Sequence, residues 1–366
     1  MQHNLKIQIS NLKIISKNVK YFGCQFRVFR VTPVGGLGCN TLHIPINLYY
    51  YITMIKIEEN VALAPMTTFK VGGPAKYFVR VASADDLKEA IKFSKDKNLP
   101  IFILGGGSNL IISDRGFNGL VIKIDIKDIK IDDGKITCGA AIPFGLVVNK
   151  TMQNSLTGLE WAAGIPGTIG GAVRGNAGAF GGETKDVIQS VKSIDSDSGK
   201  TISRDNNECK FGYRDSIFKH NNEIVVEVEL LLKKGDRSKI EKIVQEHVQY
   251  RQQKHPIEFP CAGSVFKNIP ADSVSDEVRE LFKDSIKIDP FPVVPAAKII
   301  AEAGFSGTKI GGAQVSQKHT NYIVNAGNAK ADDIIKLINL IKNTVQEKYQ
   351  ITLEIEPQLI GLTLEK

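Results

Sequence analysis

The stretch Gly158 to Glu183, GLEWAAGIPGTIGGAVRGNAGAFGGE, holds nine glycines in twenty-six positions and the chain's single tryptophan, Trp161. Much of it is too rich in glycine for a helix interior and too apolar for a disordered linker. Glycine lacks a Cβ and tolerates positive φ, so it lets backbone N–H groups approach a partner closely. A run of such N–H groups in a tight turn makes a nest for phosphate; a packing corner between strands is the other reading of the same glycines. A second cluster, Gly105-Gly106-Gly107-Ser108-Asn109, offers three unobstructed N–H groups followed by a hydroxyl and an amide. That donor set suits a diphosphate. The loop lacks the closing Gly-Lys-Ser/Thr of a Walker A loop and the spacing of G-x-G-x-x-G. The two clusters together are expected to converge on one diphosphate.

The elements that must position these loops follow from periodicity and turn chemistry. Thr67 to Pro74 reads as a strand entering a Gly-Pro turn, continued by a strand over 75–81. Ser83 opens a helix with Asp86 three residues on. Leu87, Ala90 and Ile91 share its inner face, and Asn98 ends it before Pro100. Ile101 to Leu104 is a buried strand running into the GGGSN loop. Residues 110–112 and 120–124 are short strands, and 130–131 and 136–138 flank the turn Asp132-Asp133-Gly134. A helix over 142–154 faces inward through Leu146 and Val147. Val191 to Ile194 and Thr201-Ile202 pair around Asp197-Ser198-Gly199, and 225–232 is a strand. An amphipathic helix over 237–253 directs Ile240, Ile243, Val244, His247 and Val248 to one face, His247 reading as a core-edge residue. The last third holds a short helix over 296–303, strands near 310–315 and 322–325, and a helix with Ile334, Leu337, Ile338, Ile341 and Val345 in register. A final strand over 353–359 carries Glu354 and Glu356 on one face. A domain boundary is expected near 250–256.

Length and composition bound the rest. A chain of 366 residues with 42% hydrophobic content buries a large core in two or three domains. No apolar run reaches the roughly 18 to 20 residues that span a bilayer. Cys24, Cys39, Cys138, Cys209 and Cys261 form no C-x-x-C pair, no zinc pattern and no disulfide framework, which points to a reducing, cytoplasmic compartment. The net charge of +8 is concentrated: residues 1–53 carry six Lys and Arg and no acid, leaving +2 for the remainder. The body therefore lacks the basic excess of a nucleic-acid binder. Residues 1–53 read as an atypical leader outside the fold, with Met54 the expected natural start.

The ordered motifs TTFKVGG, ILGGGSNLI, GLEWAAGIPGTIGGA, NAGAFGGE, GYRDSIFK, CAGSVFKN, IGGAQVSQKHTNYIVN and LEIEPQLIG resemble the UDP-N-acetylenolpyruvoylglucosamine reductase family over essentially all of residues 56–361. The resemblance implies an α+β fold. A two-part FAD-binding unit of the vanillyl-alcohol-oxidase/PCMH type would span 54–250, split near 125, followed by a smaller substrate-binding domain over 251–366. Lys219 leads through one strand directly into helix 237–253, so the chain is similar to the subtype without a tyrosine-bearing loop over the substrate. Segment 270–295 is longer than that subtype's, and no role for it can be read.

The implied reaction moves a hydride from NADPH by way of non-covalent FAD to the vinyl carbon of an enolpyruvyl ether. Negative charge then develops beside a carboxylate, which calls for a cationic donor and an acid. The resemblance gives these roles to Arg214, Ser264 and Glu356. Taken alone, Arg214 reads as a surface ion pair with Asp215, Ser264 as a turn serine after Gly263, and Glu356 as a charged edge-strand residue. Tyr213, Lys254, Asn268 and His319 would meet the nucleotide sugar, although His319 alone reads equally as a solvated loop histidine. For FAD, Gly105 to Asn109 with Ile165, Pro166, Gly167, Thr168, Gly170 and Gly171 would cradle the pyrophosphate, and Asn176, Ala177 and Gly178 would line the flavin. No metal site is expected, and a monomer or weak homo-oligomer is. Two rivals are a sugar or alcohol oxidase on the same flavin fold and a non-catalytic nucleotide-binding protein.

Overall fold

A computed structural model describes residues 55–364 together with two short upstream strands. The chain divides into Met1–Lys56 and Ile57–Lys366. In the first unit, Gln8–Ile9 pairs antiparallel with Leu12–Lys13. The expectations about the leader, Met54, Cys24 and Cys39 lie outside the described residues.

The second unit begins with a four-stranded sheet in the order Glu58–Ala62, Pro74–Val81, Phe117–Ile124, Ile101–Leu104. Its first pair is antiparallel and the other two are parallel. Helix α1 (Ala84–Asp96) makes the crossover, capped by the Ser83 hydroxyl accepting from Asp86 N, with Leu87, Ala90 and Ile91 buried. The expected strand over 67–73 does not form. Lys70 at φ 57° and Gly72 at φ 132° break the extended backbone. The segment instead braces the glycine loop: Thr68 N donates to Gly107 O at 3.0 Å and its hydroxyl to Cys261 O at 2.6 Å.

A second sheet is antiparallel throughout, in the order Thr201–Asp205, Ile188–Asp195, Glu223–Leu231, Lys135–Gly139, Ile129–Asp132. Asp133 and Gly134 both take positive φ, the two-residue turn that matches strand twist. Helix α2 (Phe144–Gln153) buries Phe144, Val147, Val148 and Thr151. Leu146, expected inside, is 38% exposed: it lies one residue from the buried stripe, and a turn of 3.6 residues carries it outward. Helix α3 (Ile169–Gly175) follows. Helix α4 (Arg237–Lys254) buries only Ile240 fully, and Ile243 is exposed. Of its apolar stripe, His247 lies on the wall of a cleft.

Past residue 254 come α5 (Asp276–Leu281), α6 (Ala296–Glu302) and α7 (Ala331–Tyr349). The α7 residues Ile334, Leu337, Ile338, Ile341 and Val345 are fully buried, as their spacing predicts. Each such side chain contributes roughly 1.5–3 kcal/mol of apolar burial. The expected strand over 353–359 shortens to Gln358–Ile360, which pairs parallel with Leu110–Ile112. Pro357 has no N–H to donate, and Glu354 and Glu356 part company: Glu354 pairs with Lys267 while Glu356 enters the cleft. The cores interlock across residue 250. Phe69, Val71 and Ile111 join the cluster around α6 and α7, and Ile360 joins the cluster of the first sheet.

Candidate active site

The two glycine clusters meet. A Cβ on Gly106 would fall 2.5 Å from the Gly167 Cα, and one on Gly167 would fall 2.6 Å from Ser108 Oγ. The Ser108 hydroxyl donates to Pro166 O at 3.3 Å. Gly107 takes φ 68° with Met66 O where its Cβ would be. Any side chain here would wedge the loops apart, so glycine is a steric requirement. Thr168 caps α3, its hydroxyl accepting from Gly171 N. Gly105 to Asn109 and Ile165 to Thr168, with Gly170 and Gly171, line one cleft of about 1310 Å³.

Ala177 and Gly178 also line this cleft. Asn176 does not; it is fully buried at φ 41° and ends α3. Its amide donates to Gly212 O at 2.8 Å and Glu183 Oε1 at 3.2 Å, and its oxygen accepts from Lys185 N. Asn176 therefore ties the glycine wall to the Gly212–Asp215 turn. Trp161 is a packing residue: its ring fills the space a Cβ on Gly182 would need, 2.3 Å away, and meets Phe144 edge-on.

Arg214 stands on that turn at φ 55°. It turns away from Asp215, which pairs with His220. Its Nη2 donates to Gly178 O at 2.8 Å and its Nε lies 3.4 Å from Glu356 Oε1. Lys219 Nζ donates to the Arg214 carbonyl at 2.5 Å. Glu356 is anchored through its backbone, N to Val265 O and O from Asn109 Nδ2. Burial lifts its carboxyl above the ordinary range, Arg214, Lys219 and Lys267 oppose this, and Asp289 adds to it.

Ser264 enters the same cleft from the loop after Gly263, itself at φ 80°. Its hydroxyl interacts with that of Tyr322, which lies 3.0 Å from His255 Nδ1. Burial pushes Tyr322 up to about 12. His255 is pushed down to about 4, by burial first and then by His319 and Arg251. His319, also lowered to about 4 by burial, holds its Nδ1 buried without a hydrogen-bond partner. Both rings are thus neutral near pH 7. Tyr213 accepts from Asn268 N through its hydroxyl, and Asn268 caps α6 by accepting from Ala296 N. Tyr213, Asn268 and His319 line the cleft. Lys254 is exposed at the end of α4 and is not among the lining residues.

Three lining residues carry no sequence signal of their own. Lys219 shares a motif with Arg214, His255 is next to Lys254, and Tyr322 lies in a strand that reads as plain core. His247, expected at a core edge, stacks on Phe180 with centroids 3.9 Å apart and lines the cleft. The glycine walls, free of side chains and lined with N–H groups, suit the pyrophosphate of a dinucleotide such as FAD.

Comparison with known proteins agrees with this geometry. Residues 75–204 match the FAD binding domain family, and residues 255–360 match the C-terminal domain of UDP-N-acetylenolpyruvoylglucosamine reductase. The UDP-N-acetylenolpyruvoylglucosamine reductase of Clostridium tetani is 38% identical over 316 residues, 86% of this chain and 95% of that protein. That of Alkaliphilus oremlandii is 39% identical over 297 residues, 81% of this chain and 90% of that one. The crystal structure of the Thermus caldophilus reductase superposes with a TM-score of 0.68 at 31% identity, covering 84% of this chain and all of that one. The chain belongs to the UDP-N-acetylenolpyruvoylglucosamine reductase family.

Proposed function

We propose that this cleft reduces UDP-N-acetyl-3-O-(1-carboxyvinyl)-glucosamine to UDP-N-acetylmuramate, a peptidoglycan precursor. FAD is held non-covalently and NADPH is the electron source. The observation that carries the reading is the convergence of Arg214, Ser264 and Glu356 on the cleft whose other wall is the paired glycine loops. Residues 54–250 hold the cofactor and 251–366 present the substrate.

Bound FAD supplies a two-electron carrier between NADPH and substrate. The N–H groups of Gly105 to Asn109, with those of Gly167 and Thr168, would hold its pyrophosphate, and Ala177 and Gly178 would lie beside the ring system. Reduction adds a hydride to the terminal vinyl carbon and a proton to its neighbour. Between the two additions, negative charge spreads from that carbon into the substrate carboxylate. Arg214, permanently charged and locked by Gly178 and Lys219, faces this charge. The Ser264 hydroxyl delivers the proton to carbon, and Tyr322, held by His255, lines the cleft beside it. Glu356, its carboxyl raised by burial, backs the site as a second acid. NADPH enters the same cleft, whose volume of about 1310 Å³ has room for a dinucleotide. The two ligands then exclude each other, and ping-pong kinetics follow. Among the described residues no helix is long and apolar enough to cross a membrane, which suits a cytoplasmic enzyme using a soluble nucleotide sugar.

Anaerobic stopped-flow with Ser264→Ala tests the reading. Flavin bleaching by NADPH keeps its rate, while reoxidation by the enolpyruvyl nucleotide falls roughly 10²–10⁴-fold. Loss of both half-reactions would make Ser264 structural. Reoxidation of the native enzyme by oxygen but not by that nucleotide would favour an oxidase.

A further inference from the structure

Segment 270–295, without a role in the sequence, folds into an appendage with a rooted base and an exposed tip. Val274, Val278, Phe282 and Val294 are buried in the core shared with α6 and α7. Arg279 fastens the base, its Nε donating to Ala271 O at 2.8 Å. A hairpin rises from it, Lys287–Ile288 against Pro292–Val294. Its tip residues Lys287, Ile288 and Asp289 line the large cleft. Phe291 packs edge-on against Tyr213, ring centroids 5.1 Å apart, which fixes the hairpin beside the turn that carries Arg214.

The charges at the tip reach both sides of the reacting end. Lys287 acts on His255 and His319, and Asp289 acts on Glu356 and Tyr213. Lys287 and Asp289 pair with each other at 2.7 Å, the lysine side chain 51% exposed. Exposed pairs of this kind are weak and exchange readily for a better anion. Three other cations lining the cleft are committed to backbone carbonyls. Arg214 and Arg251 donate to the carbonyls of Gly178 and Ala163, and Lys219 to that of Arg214. Arg174, on α3, is half-buried and offset by Asp215. Lys254 is exposed and is not among the lining residues. Ile288 is 69% exposed, an apolar surface on a cleft wall that a flat ligand face would cover.

We propose that the hairpin Lys287–Val294 is a substrate-contacting arm, in which the Lys287 ammonium meets the diphosphate of the nucleotide sugar and Ile288 covers an apolar face of the bound nucleotide. This rests on the cleft being the nucleotide-sugar site. The role that the sequence assigns to Lys254 passes to Lys287.

The test uses the flavin-loaded full chain, with the visible flavin spectrum as the control for folding. KM and kcat for the enolpyruvyl nucleotide, and calorimetric affinities for UDP and NADP⁺, are compared for native enzyme, Lys287→Ala, Ile288→Ser and Lys254→Ala. Lys287→Ala is expected to raise KM and weaken UDP binding roughly 10-fold or more, the scale of a lost charged hydrogen bond, with kcat nearly unchanged. Ile288→Ser shifts both less, and Lys254→Ala shows how much of the binding a neighbouring lysine carries. The arm is refuted if Lys287→Ala leaves KM and UDP affinity within twofold of native. Weakening of NADP⁺ alone also refutes it, because the arm would then serve the nicotinamide nucleotide. If the native enzyme fails to convert the enolpyruvyl nucleotide, the functional reading falls while the UDP titration still judges the arm.

Discussion

Arg214 owes its aim to its backbone as much as to its side chain. Its φ of 55° lies in the left-handed region, which costs a residue with a Cβ roughly 1–2 kcal/mol. The Lys219 ammonium on its carbonyl offsets that cost, although burial, Lys267 and Arg174 all push Lys219 below the usual lysine range. Lys219→Met is expected to slow flavin reoxidation by substrate roughly 10-fold or more while FAD stays bound; Lys219→Arg should recover part of the rate. Stopped-flow half-reactions read both. At this scale the sequence was informative where the chemistry sits in short motifs. Arg214, Ser264 and Glu356 each lie in one, and all three reach the cleft. The Tyr322–His255 contact was illegible because it joins positions 67 apart. Lys254 and Asn176 show the converse. Their types suit a ligand, yet the helix end turns one to solvent and the left-handed cap draws the other into the interior.

Among elements, the glycine loops are the most constrained. A Cβ on Gly106 meets backbone on the facing loop, 2.5 Å from Gly167 Cα and 3.1 Å from Thr168 N, and backbone does not rotate aside as a side chain can. Overpacking of this kind costs roughly 1–3 kcal/mol. Gly106→Ala is therefore expected to keep its far-ultraviolet circular dichroism and lose most of its flavin, read by absorbance near about 450 nm. Convergence of these loops was legible through the family resemblance, because the donor chemistry of each loop alone fits a packing corner as well. The faces of α2 and α4 were less so. Periodicity identifies an apolar stripe but not what covers it: Leu146 sits at the edge of its stripe, and the stripe of α4 borders the cleft through His247 and Arg251. The final strand was overextended because alternation continues through Pro357, where the missing N–H ends the pairing.

For the whole molecule, stability and acidity are linked through the buried pair His255 and His319. Both are lowered from 6.5 to about 4, so the unfolded chain binds their protons more readily than the folded one. Their contribution is complete above about pH 6.5 and is lost as pH falls toward 4. Thermal melting followed across that window should show a falling Tm, and His255→Gln should flatten the slope. The interlocking of the cores was not legible in the sequence, because it depends on one distant pairing. Strand Leu110–Ile112 is wholly buried and takes its backbone partner from Gln358–Ile360. The adjoining contact, Asn109 to Glu356, spans 247 residues. A ribosome adding roughly 5–20 residues per second needs tens of seconds to cover that distance. During translation the three apolar residues next to the GGGSN loop wait with an open strand edge, a template for aggregation until the tail arrives. A nascent chain that stalls short of the tail lacks both Glu356 and a finished cofactor loop, so flavin loading reports on complete synthesis.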